Sequence, residues 1–134
     1  VFLEDYAFLI NALLDLYDST MNFKYKNLAK KFCLEAIDKF YIKEKNIFRK
    51  NKLNSRDLFF VPIEISDNTV PNGNAIMLTN LTRLGLIEEA KKLSASLNGY
   101  INIYKNYMTT SIKSLDFFNE KMSGKNCNQN GCKI

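Results

Sequence analysis

Val61-Pro62-Ile63-Glu64-Ile65-Ser66-Asp67-Asn68-Thr69-Val70-Pro71-Asn72-Gly73-Asn74-Ala75-Ile76-Met77-Leu78 is an irregular polar segment that carries both prolines of the chain and runs without a break into an apolar helix. Loops of this length are usually functional or disordered. Proline fixes φ, and Gly73 permits close backbone approach or a positive φ, so the segment reads as built to hold one shape. It is expected to form the rim of a cavity. The helix that follows, about Asn72 to Leu84, carries Ala75, Ile76, Met77, Leu78, Leu81 and Leu84 and is apolar over most of its surface, with Gly85 suited to its end.

Upstream, a first helix is expected from about Glu4 to Ser19. At a hundred degrees per residue, Glu4, Asn11, Asp15 and Asp18 share one narrow stripe, while Tyr6, Leu9, Ile10, Leu13, Leu14, Leu16 and Tyr17 cover most of the rest. A mostly buried helix is the expectation. Asp5 falls off the polar stripe, between Phe8, Ala12 and Leu16. Two readings apply to it: a first-turn carboxylate favoured by the helix dipole, or a group presented into a cavity at the helix N-terminus. Asn22 can cap a second helix, about Phe23 to Tyr41, whose stripe of Tyr25, Leu28, Ala29, Phe32, Ala36 and Phe40 marks a surface helix. Cys33 flanks that stripe as a small core residue.

Residues 42–60 hold short runs, Asn46-Ile47-Phe48-Arg49 and Asp57-Leu58-Phe59-Phe60, which fit a small hairpin or two extended pieces. Downstream, a fourth helix starts near Leu86, with Glu88 and Glu89 in its first turn, a Glu88 to Lys92 pair, and Ala90, Leu93 and Leu97 on one face. A fifth, about Lys105 to Asn119, sets Met108, Ile112, Leu115 and Phe118 in register. The tail from Ser123 to Ile134 is polar and glycine-containing and is expected to be loose. Buried helices alternating with amphipathic ones make an all-α chain of inner and outer helices.

The chain's 134 residues bound it to one domain or part of one, with 46% hydrophobic content enough for a core. It has no apolar run of about eighteen residues and no basic-apolar-small start, so neither a membrane span nor a signal peptide is expected. It starts on Val1 inside what reads as a helix, as a fragment of something longer would. A net charge of +5 is spread over many segments. That distribution fits a solvated surface better than a nucleic-acid footprint. Three cysteines without a targeting segment fit a reducing compartment, here the cytoplasm.

Three stretches in order resemble a known family: Asp5-Tyr6-Ala7 opening a helix that continues Leu13-Leu14-Asp15-Leu16-Tyr17-Asp18-Ser19-Thr20, Pro71-Asn72-Gly73-Asn74-Ala75 leading to Asn80-Leu81-Thr82-Arg83-Leu84, and Ser114-Leu115-Asp116-Phe117-Phe118. Together they are similar to the C-terminal part of the large thioredoxin-domain-containing proteins related to the spermatogenesis-associated thioredoxin-like protein. That resemblance covers residues 1–120. It implies a partial (α/α)6 toroid, like those of six-hairpin glycosidases and N-acylglucosamine 2-epimerases, with residues 121–134 as a flexible tail. It also implies an N-terminal thioredoxin-like domain in the full-length protein and a carbohydrate ligand in a central cavity. The cavity-lining candidates it gives are Asp5, Tyr6, Glu64, Asp67, Asn72, Gly73 and Asn74. The chain departs from the family in three places: Asn46-Ile47 stands where Gly-Gly is common, Val61 where an arginine is, and Asn72 where serine is. Losing the arginine removes a fixed positive charge for an anionic or sugar-acid ligand. Cys127 and Cys132 have a C-x4-C spacing that also closes many members. They form either a disulfide, as a redox pair, or two idle thiols.

Glycoside hydrolysis needs two carboxylates about 5 to 10 Å apart, and Asp5 with Glu64 or Asp67 is the pair available. Epimerase proton transfer and Cys-His or Ser-His chemistry need a histidine, of which the 134 residues contain none. A zinc site would lack ligands for the same reason, so no metal and no cofactor are expected. Two classes remain. In one, the chain forms the wall of a sugar pocket, with Tyr6 as stacking surface and Asp5, Glu64 and Asn74 as hydrogen-bonding groups. In the other, it is a non-catalytic helical scaffold or interaction module attached to a redox domain, in which Asn72 and Asn74 merely cap a helix. An open arc of helices also leaves apolar flanks bare, so the isolated chain is expected to self-associate or to be marginally stable.

Overall fold

A computed structural model of the chain describes residues 1–51, 63–67 and 71–127. Among them five α-helices form: α1 (Leu3–Thr20), α2 (Phe23–Phe40), α3 (Gly73–Leu84), α4 (Ile87–Tyr104) and α5 (Thr109–Cys127), with a single 3-10 turn at Lys105–Tyr107 before α5. Two short strands, β1 (Tyr41–Ile42) and β2 (Ile47–Phe48), pair antiparallel with Tyr41 opposite Phe48. Asn46 turns this hairpin at φ 51°, a left-handed conformation that asparagine tolerates. The second short run, Asp57 to Phe60, lies outside the described residues.

Local chemistry sets the helix ends. The Asn22 side chain accepts from the Lys24 N–H and that of Asn72 from the Ala75 N–H, each satisfying a donor the first turn leaves open. Gly85, at φ 76°, stops α3 by donating its N–H to the carbonyls of Leu81 and Thr82, where a side chain would strain the backbone. Met21 takes the same left-handed turn after α1 at φ 54°.

α1 packs on α2 and α3, α3 packs on α4 and α5, and α4 meets α5. The shared core joins Leu3, Ile10 and Leu14 of α1, Cys33 and Phe40 of α2, and Ile47 and Phe48 of the hairpin. From the downstream helices it takes Met77, Leu78 and Leu81 of α3, Leu93 and Leu97 of α4, and Met108 and Phe118. Each such side chain contributes about 1.5–3 kcal/mol by leaving water. α2 and α4 bury the stripes expected of them, through Ala29, Cys33, Ala36 and Phe40 in one and Ala90, Leu93 and Leu97 in the other.

Four expectations are corrected. α1 buries one face only, Leu3, Ala7, Ile10, Leu13 and Leu14, while Phe8, Leu9 and Leu16 stay 40–45% exposed. Nothing packs on that side among the described residues, because α2 and α3 take up the other two sides of the helix. Ile112 likewise points outward at 36% exposure, and the buried positions of α5 include Ser111 and Ser114 instead. The tail does not begin after residue 120: α5 continues to Cys127, and Met122 rests against the core one turn beyond Phe118. Glu88 pairs with Lys91, three residues on, rather than with Lys92.

Candidate functional site

The first turns of α1, α3 and α5 meet at one end of the molecule, around residues 47–51 and 63–67. The Leu3 N–H donates to the Lys50 carbonyl, Phe2 bridges Asn51, and the Thr110 N–H at the start of α5 donates to Asp67 Oδ2 at 2.7 Å. At the start of α3, a Cβ on Gly73 would stand 2.9 Å from Leu3 Cδ2 and 3.0 Å from Leu3 Cγ. Glycine is therefore required there for closeness between two helices, and φ is not the reason.

Asn74 is 1% exposed and ties three segments together. Its Oδ1 accepts from the Phe48 N–H at 2.9 Å, and its Nδ2 donates to the carbonyls of Phe48 and Glu64, both at 3.0 Å. The side-chain amide thus stands in for a neighbouring strand beside β2. Asn72, 2% exposed, caps α3 through Oδ1 and donates from Nδ2 to Asp67 Oδ1 at 3.0 Å and Ser111 Oγ at 3.3 Å. Asp67 receives the Asn72 N–H as well, and its own N–H donates to the Tyr107 carbonyl. Partial burial pushes the Asp67 carboxyl up, but the donors from Thr110 and Asn72 outweigh it and hold the group below its usual range. An ionised, fully engaged carboxylate is poor general-acid material.

The side chains of Asp5, Tyr6 and Glu64 make other contacts. Asp5 is exposed, and its Oδ2 accepts from the Phe2 N–H at 2.8 Å, half of a capping box whose other half is absent because phenylalanine carries no acceptor. Tyr6 turns to α2. Its ring meets Phe32 and Phe40 edge-on, its hydroxyl donates to Glu35 at 2.8 Å, and Lys39 donates to that hydroxyl at 2.6 Å. Lys39 also pairs with Glu35, so the hydrogen bond from Lys39, then that from Tyr6, lowers the Glu35 carboxyl. Glu64 forms an ion pair with Lys50. The structure therefore gathers Glu64, Asp67, Asn72, Gly73 and Asn74 at one junction and leaves Tyr6 in the α1–α2 seam. Cys33 is fully buried, and burial first, then the Glu89 charge, pushes its thiol up to about 12. Cys127 is the last residue of α5, and Cys132, with the pairing of the two, lies outside the described residues.

Several polar groups that matter carried no signal in the sequence. Arg83, on α3, reaches across to α1 and binds Asp15 and Asp18 at 2.8 Å and Asn11 Oδ1 at 3.0 Å, so the solvent-exposed polar stripe of α1 also holds a cation from α3. Asn80, fully buried, donates to the Ala7 carbonyl at 2.8 Å, and its Oδ1 has no hydrogen-bond partner. Thr79 Oγ1 bonds Ser114 Oγ. At the opposite end of α3, a cleft of about 590 Å³ is lined by Lys26, Arg83, Leu84, Phe117 and Lys121 among others. Among the described residues, no three His, Cys, Asp or Glu side chains group as a metal ion requires, and no helix is long and apolar enough to cross a membrane.

The fold and junction define a mostly helical protein whose polar end is a knot of side-chain-to-backbone bonds. No protein-family model and no curated protein matches the chain.

Proposed function

We propose that the chain is a non-catalytic helical scaffold and interaction module, built as an arc of an (α/α)6 toroid and attached to a redox domain of the thioredoxin-like kind that the resemblance implies. The observation that carries this reading is the spending of the candidate site on itself. Both Asp67 carboxylate oxygens and the amides of Asn72 and Asn74 all serve internal hydrogen bonds. Groups committed in this way position helix ends and have little left for a substrate. The arc itself is supported by the packing of α3 on both α1 and α5, with α2 against α1 and α4 against α3 and α5.

A second reading, the wall of a carbohydrate pocket, is favoured by one feature: exposed Asp5 and the Lys50–Glu64 pair share the end where Phe2 bridges Asn51. Thermal-shift measurements with mono- and oligosaccharides separate the two. The scaffold reading expects the same melting temperature with and without sugar. A sugar-dependent rise that disappears in an Asp5→Asn, Glu64→Gln double variant would overturn it.

A further inference from the structure

The cleft at the end of α3 away from the junction is walled by four helices. α2 supplies Lys26, α3 its closing residues Thr82 to Gly85, α4 Ile87, and α5 Phe117, Lys121 and Met122, around about 590 Å³. Small-molecule sites run from about 300 to about 1,000 Å³ and combine an apolar wall with a few polar groups. Leu84, Ile87, Phe117 and Met122 are that wall here, each half-buried.

We infer that this cleft is a binding site for a carboxylate carried on an apolar body. The counter-charge comes from Lys26 of α2 and Lys121 of α5, neither of which has a carboxylate partner among the described residues. Each ammonium instead rests over a ring, Lys26 Nζ 5.0 Å from the Tyr17 centroid and Lys121 Nζ 5.5 Å from that of Phe117. Such contacts are weak where water reaches them, so an ion pair with a bound carboxylate can replace them. The apolar body would then lie on the wall that Leu84, Ile87, Phe117 and Met122 provide.

The surrounding charge selects the head group. Arg83 is spent on Asp15 and Asp18, Glu120 lines the cleft as a carboxylate, and the closing turn of α3 brings the negative end of that helix. Lys26, Arg83 and Lys121 are thus set against Asp15, Asp18 and Glu120, which leaves no excess of positive charge for a dianion such as a phosphate monoester. Two ammonium groups without a carboxylate partner still suit a single negative charge. The site lies at the other end of α3 from Asp67 and Asn74, so it goes beyond the scaffold reading and is tested separately from it.

Proton-nitrogen correlation spectra of the full chain, titrated with 2-naphthoate, read the site directly and report the fold of each variant as well. Saturable shifts are expected at the amides of Leu84, Gly85, Ile87 and Met122, with a Kd of about 1 mM for so small a probe in an open cleft. The neutral 2-naphthamide and the doubly charged 2-naphthyl phosphate should each bind about fivefold more weakly. Lys26→Glu and Lys121→Glu should each weaken 2-naphthoate about tenfold, whereas Glu120→Gln should tighten it about twofold. Lys43→Glu, which makes the same change in net charge on the hairpin, should leave the affinity as it is. No saturable shift up to about 10 mM would overturn the inference. So would shifts centred on Phe8 and Leu16, equal binding of 2-naphthamide, tighter binding of 2-naphthyl phosphate, or an unchanged affinity in both lysine variants.

Discussion

Replacing Asn74 with alanine tests whether the residue is a structural tie or a ligand-binding group. The substitution removes three hydrogen bonds and strands the Phe48 N–H and C=O, on a residue that is fully buried. Each stranded group costs about 1–3 kcal/mol, while the Glu64 carbonyl, in a half-buried segment, can turn to water. A loss of about 3 kcal/mol follows, a large fraction of the 5–15 kcal/mol that holds an ordinary domain together. Urea unfolding followed by circular dichroism should show the midpoint falling with the m-value unchanged. Asn74→Asp is the control. It keeps an acceptor for the Phe48 N–H but sets oxygen against two carbonyls, so it should be at least as damaging as alanine. A loss below about 1 kcal/mol in both variants would refute the tie.

Gly73→Ala should cost about 1–2 kcal/mol, because its Cβ would press on Leu3, itself 1% exposed with little room to give. Adding Leu3→Val should recover part of the loss, and strict additivity in urea melts would count against the contact. Asp67 has a folded pKa below its unfolded value, so its contribution is complete above the unfolded carboxylate range near 4 and is lost as pH falls through the folded value. Wild type should therefore lose stability more steeply than Asp67→Asn below about pH 4, while the variant is the weaker at pH 7, and equal slopes would remove Asp67 from the acid response. Cys33, buried and with its thiol pushed up to about 12, should resist iodoacetamide in the native chain and react once urea is added. Peptide mass spectrometry reads the difference, and prompt native alkylation would contradict the burial.

The short-range features of this protein were legible in the chain alone. The cap at Asn22, the stop at Gly85 and the buried stripes of α2 and α4 all depend on residues within a turn or two of one another, where helical period and capping chemistry act. The partners of polar side chains lie much farther off. Asn74 meets Phe48 across 26 positions, Arg83 meets Asn11 across 72, and Asn80 meets Ala7 across 73. No local spacing encodes such pairs, so Tyr6 reads equally well as a stacking platform or a seam residue until α2 is set against it.

α1 shows the same division. Apolar side chains around most of its circumference give the helix no preferred side, and the period that fixes its existence leaves its orientation open. The chain by itself therefore determined that α1 forms and that α3 stops at Gly85. Only the tertiary structure decided that α1 turns Tyr6 to α2 and its acidic stripe to Arg83, leaving Phe8, Leu9 and Leu16 bare. The physical reason is that secondary structure is selected by neighbours along the chain, whereas the choice of buried face is made by whichever surfaces pack together with their polar groups satisfied.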